Sequence, residues 1–216
     1  MDRALKNSHY FFLAVLVVIF VGFYRTYFSL FPHFKGITTL LHIHAALILL
    51  WMSMLIVQPI LIRTGRAELH RRVGRLSYAV VPVMVLTIAL VMRESFQKPL
   101  VVTPGVPNLG LIGVADLTFF GLMYGLAIYY RHKVIYHARY MVLTALPFIN
   151  PAVGRLSLPG PLFALVIMVG LLVYERSQSR VYRPYLIALP AYVGIYSLFI
   201  FGITRGEWLA FWARIY

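Results

Sequence analysis

Cysteine is absent from this chain. That excludes disulfides, thiolate metal sites, iron–sulfur clusters and covalent haem attachment of the c type. Any metal or haem must be held by histidine, carboxylate, methionine or tyrosine. Acidic residues are the next scarcity, with 6 Asp+Glu against 20 Lys+Arg in 216 residues and a formal net charge of +14. Charge of either sign is also scarce: 12% of residues are charged and 61% hydrophobic. An ordinary soluble domain carries about 25% charged residues, so that class is excluded. Long basic or aromatic-interleaved stretches are missing too, so the positive balance does not indicate a nucleic-acid partner. The sequence contains no Ser/His/Asp order, no phosphate-cradling glycine loop and no lysine in its last apolar run. It therefore does not read as a hydrolase, a kinase or a retinal protein.

What is present is a series of apolar runs near the roughly 20 residues needed to cross a bilayer. They predict seven spans: Tyr10–Phe31, Ile37–Ile62, Leu76–Met92, Leu111–Tyr130, Tyr140–Ser157, Leu162–Tyr174 and Pro184–Ile203. The fold class is thus an all-α polytopic membrane bundle. Residues 1–216 form one integral membrane domain, with a central four-helix block over about 37–157. The basic stretch before Tyr10 resembles a signal peptide, but no small-residue cleavage site follows, so a retained first helix is expected. The fifth span contains Pro147, Asn150, Pro151 and Arg155 and should be kinked or broken. In the tail, Trp208, Phe211 and Trp212 have the spacing of one face of an interfacial helix.

The basic residues set the orientation. With the N-terminus inside, 13 of the 20 Lys+Arg fall on the cytoplasmic side and 7 outside. This is the positive-inside pattern, and it predicts N-in and C-out. The main cytoplasmic loops are then Arg63–Arg75, Arg131–Arg139 and Glu175–Arg183. The second and third spans form a hairpin that the fourth and fifth echo in the same sense, a faint parallel repeat.

Ionisable residues inside a membrane are costly and mark candidate sites. His42 and His44 stand two residues apart, so a regular helix turns them about 200° from each other. His44, Trp51 and Gln58 recur every seven residues and should share a face towards the bundle. Asp116 is an acidic residue deep in an apolar run and needs a partner. Arg155 would make a structural ion pair with it. A histidine from His42 or His44 would instead make a non-haem His/carboxylate metal site with Asp116. On the cytoplasmic side, His70 and His137 lie at matching depths, at the starts of the third and fifth helices. Two such histidines could ligate a b-type haem axially. Arg71, Arg72, Arg75 and Arg139 could then neutralise its propionates, and Gly74 could give the ring clearance.

The string His-Ile-His-Ala, Trp51, Gln58, Leu-His-Arg-Arg-Val-Gly-Arg and His-Ala-Arg-Tyr-Met resembles an uncharacterised family of bacterial multi-pass predicted membrane proteins. That resemblance implies a fold and a bacterial inner-membrane location. More distantly, the block from the second to the fifth helix resembles the transmembrane cytochrome b superfamily. There, four histidines on four central helices hold two haems near opposite faces. His44, His70 and His137 sit at comparable places, while Asp116 stands where the fourth histidine would be. The resemblance therefore implies one complete bis-histidine site, His70 with His137. The expectation is a membrane redox protein with haem b, the bilayer around it and a redox or membrane-protein partner. The alternatives are a small transporter or membrane assembly factor, which the broken fifth span suits, and the outer non-haem metal site.

Overall fold

The computed structural model describes residues 7–96, 109–178, 183–203, 206–207 and 210. The described residues are helical throughout, without strands. Among the described residues, eight α-helices follow in order: α1 Ser8–Phe23, α2 Thr39–Arg63, α3 Ala67–Phe96, α4 Leu109–Tyr129, α5 Val134–Leu143, α6 Ile149–Gly154, α7 Gly160–Ser177 and α8 Arg183–Ser197. Five segments are long and apolar enough to cross a membrane: Thr39–Arg63, Ala67–Glu94, Gly110–Tyr129, Gly160–Ser177 and Arg183–Gly202. The first apolar helix is shorter, and the predicted fifth span is broken in two. The expected interfacial stripe Trp208, Phe211 and Trp212 lies outside the described residues, as does most of the predicted loop between the third and fourth spans.

The helix ends follow from local chemistry. Thr38 starts α2, its hydroxyl oxygen accepting from the Leu41 amide at 3.3 Å, which satisfies one of the orphan donors of the first turn. Gly65, at φ +75°, stops it. The amide of Arg66 then reaches the Leu61 carbonyl at 2.8 Å and that of Gly65 reaches Ile62 at 3.2 Å. These are the two bonds of a Schellman cap. The turn is therefore only a few residues long, and the predicted basic loop Arg63–Arg75 belongs mostly to the first turns of α3. A run of helix-compatible residues, Ala67-Glu68-Leu69-His70-Arg71-Arg72, extends that helix beyond its apolar part.

Pro82 sits inside the unbroken α3, whereas Pro147 lies in a 3-10 turn, Leu146–Phe148, between α5 and α6. Two prolines within five residues remove two amide donors and crowd the preceding turns. Every residue from Val142 to Asn150 is buried. Irregular backbone at membrane depth is tolerated where protein surrounds it, and this segment meets that condition.

α4 sits at the centre, packed on α3, α5 and α8. Ala115, Phe119, Met123 and Ala127, each fully buried, recur every four residues along its inner face. α1 closes one side through Phe12, Val15 and Ile19. It crosses α6 so closely that a Cβ on Gly22 would stand 2.3 Å from the Ala152 carbonyl oxygen. Val17, Leu86, Val166 and Val173 point outwards, an apolar surface suited to lipid tails.

Candidate functional site

Three polar groupings interrupt the apolar interior. The first lies at the basic end of the bundle. α3 carries His70, Gly74 and Ser77 along one face. α5 brings His137 opposite, with the His70 and His137 ring centroids 6.5 Å apart and the ring planes at 87°. α3 packs chiefly on α2, and α5 on α4, so the two rings meet where the two hairpins face each other. The His137 Nδ1 lies 2.8 Å from the Ala127 carbonyl oxygen. A carbonyl only accepts, so Nδ1 carries the proton and Nε2 keeps its lone pair. The His70 Nδ1 is buried with no hydrogen-bond partner, while its backbone carbonyl accepts from the Gln58 amide at 3.3 Å. Ser77 and the Tyr124 hydroxyl are 2.9 Å apart just above. Trp51 is buried against Tyr124, with its indole nitrogen unpartnered.

Of the residues predicted around this pair, Arg71, Arg72 and Arg75 are exposed on α3. Arg72 forms an ion pair with Glu68 one turn earlier. Arg139 is buried and forms an ion pair with Glu175 of α7, and it also donates to the Ile135 carbonyl at 3.1 Å. It ties α5 to α7, where the sequence suggested a propionate partner. Gly74 faces α2, where a Cβ would meet the Gln58 side chain at 3.5 Å. That is ordinary contact. Glu175 opens a basic segment in the sequence, which suggests a loop, but it lies inside α7. Its depth is decided by α7 running on to Ser177.

The second grouping lies nearer the opposite end. His44 Nδ1 and Thr87 Oγ1 are 3.3 Å apart between α2 and α3. His42 turns the other way, its Nδ1 2.8 Å from the Tyr27 hydroxyl and its ring edge-on to Phe34 at 4.8 Å. The 200° between them separates the two rings, as helical geometry requires.

The third grouping joins α4, α6 and α8. Asn150 Nδ2 donates to the Asp116 carboxylate at 2.6 Å and contacts the Tyr196 hydroxyl at 2.8 Å. Tyr196 also donates to the same carboxylate oxygen. Arg155 is elsewhere. It donates to Pro151 O at 2.8 Å and Thr26 Oγ1 at 3.3 Å, and stacks on Phe23 at 3.9 Å. The expected Asp116–Arg155 pair is therefore replaced by neutral donors. His42, His44 and Asp116 each have a different partner, and no cluster of three metal-ligating side chains occurs among the described residues. The sequence does not mark Asn150 and Tyr196 as partners of Asp116: Asn150 reads as a helix breaker beside Pro151, and Tyr196 lies 80 positions away, with nothing in its spacing to link them.

Comparison with family models, curated proteins and solved structures finds no match to this chain.

Proposed function

We propose that this protein is a membrane redox protein in which His70 and His137 hold a b-type haem. The spacing of the two rings carries the reading. A metal ion held at about 2.0–2.1 Å by each of two imidazole nitrogens sets the ring centroids roughly 6.3 Å apart, and here they stand 6.5 Å apart. The donor set fits as well. The Ala127 carbonyl fixes the His137 tautomer and leaves Nε2 free to ligate, which is how metal-bound histidines are commonly oriented. The unpartnered Nδ1 of His70 is a buried polar atom of the kind a ligand satisfies. Arg71 lies next to His70 in the chain and close enough to act on it electrostatically, which suits an acidic propionate. A bound haem would supply one-electron chemistry; the chain would orient the ligands and shield them from water.

The reading includes seven spans with the N-terminus and the basic turns in the cytoplasm of a bacterial inner membrane. The basic asymmetry supports it, with the broken α5–α6 segment counted as the fifth span. Reporter fusions test it: a C-terminal fusion active only in the cytoplasm rules out seven spans. For the haem, the experiment is a visible spectrum of protein purified from haem-replete cells. A Soret band lost in both His70→Ala and His137→Ala is expected. A colourless wild-type protein overturns the reading. The small-transporter reading would then lead, supported by the break between α5 and α6 beside a buried carboxylate.

A further inference from the structure

The Asp116 grouping is independent of the histidine pair and lies in the other half of α4. Its hydrogen bonds come from Asn150 on α6 and Tyr196 on α8, both buried and both neutral. The other titratable group beside it is Tyr192, stacked on Tyr196 at 4.1 Å and donating to the Pro161 carbonyl at 2.9 Å. None of its hydrogen bonds comes from α3 or α5, and it forms no ion pair with a cation among the described residues. A carboxylate charge at this depth, with only neutral donors, is expensive to keep. A bound metal ion does not suit the arrangement, because Asp116 Oδ1 already accepts an N–H and an O–H donor and no group of three metal-ligating side chains occurs among the described residues. One further atom is unexplained. Asn150 Oδ1 is buried with no hydrogen-bond partner, although its own amide nitrogen is bonded to Asp116.

A single proton accounts for both features. We propose that Asp116 is a proton-carrying carboxylic acid whose O–H donates to the Asn150 amide oxygen, giving this end of the bundle a protonation site separate from the histidine pair. Acid and amide then exchange two hydrogen bonds, N–H to carboxyl and O–H to amide oxygen, and no buried polar atom is left over. Release breaks the O–H bond, leaves the electron pair on the carboxylate and sends the proton to water. Asp116 is only partly buried, so the carboxyl group is not sealed inside the bundle. The broken fifth span is what makes the site: it turns Asn150 inwards at the level of Asp116, where a continuous helix would set its own register.

Infrared difference spectroscopy of the full-length protein in lipid nanodiscs tests this without requiring haem. The wild type at neutral pH should show the carbonyl stretch of a protonated carboxylic acid. The band should shift in D2O, disappear at alkaline pH and be absent in Asp116→Asn. Tyr196→Phe should move it to higher frequency, because one donor to the carboxyl group is lost, so the test survives if Asp116→Asn fails to fold. Absence of the band at neutral pH, its persistence in Asp116→Asn, or its indifference to Tyr196→Phe overturns the proposal. Loss of the band on adding sodium or potassium chloride at constant pH also overturns it, by assigning the site to a metal cation.

Discussion

Replacing Gly160 with alanine should destabilise the bundle, while the same change at Gly170 on the same helix should not. Gly160 opens α7 against α6. A Cβ there would lie 2.6 Å from the Asn150 carbonyl oxygen and 2.7 Å from its Cα, where ordinary contact begins at 3.4 Å. The helices would have to part by about 0.8 Å, the difference between 2.6 and 3.4 Å. Both obstructing atoms are backbone, so no side chain can swing aside. Overpacking of this kind costs about 1–3 kcal/mol. A Cβ on Gly170 meets nothing within 4 Å, and alanine there gains roughly 0.5–1 kcal/mol of helix preference. The two variants should differ by about 1.5–4 kcal/mol. For a chain of this size that is roughly 2–4 °C in Tm for each kcal/mol. Thermal unfolding in one detergent, followed by circular dichroism, reads the difference directly. Equal Tm values for the two variants would refute the close α6–α7 approach, and with it the placement of Asn150 beside Asp116. Gly22→Ala, at the α1–α6 crossing, should behave like Gly160→Ala.

Arg139→Ala breaks a buried ion pair and should cost about 3–5 kcal/mol, whereas Arg72→Ala, in the exposed pair with Glu68, should change stability by less than about 0.5 kcal/mol. Denaturant titration of the two variants side by side checks the contrast; similar losses would mean Arg139 and Glu175 are not buried together. Tyr27→Phe removes the hydroxyl partner of His42 and should lower stability by about 0.5–1.5 kcal/mol without altering any haem spectrum. A spectral change would place His42, and not only the basic-end pair, near the cofactor.

Sequence alone decided that this chain is helical, with several helices apolar enough to cross a membrane. Apolar runs near bilayer length, with most basic residues in the stretches between them, permit little else. Local rules also located the ends of α2, since Thr38 and Gly65 act within one turn, and the break near Pro147. The heptad spacing of His44, Trp51 and Gln58 placed them on one face because helical periodicity is a property of the chain itself. The extent of α3 was less legible. Charged residues at 67–75 are as compatible with a loop as with a solvated helical turn, and the choice depends on how tightly the α2–α3 hairpin closes.

Pairing across helices was decided by tertiary structure. Nothing in a sequence says whether Arg139 reaches a lipid, a propionate or Glu175, 36 positions away. The depth and rotation of α7 bring the carboxylate to it. Asp116 likewise called for a partner by its burial, but the selection of Asn150 and Tyr196 over Arg155 follows from the broken fifth span. That break rotates Asn150 inwards and leaves Arg155 at the edge, where Phe23, Thr26 and the Pro151 carbonyl hold it. Side-chain type states what a buried group requires; only the packing of one helix on another determines which group supplies it.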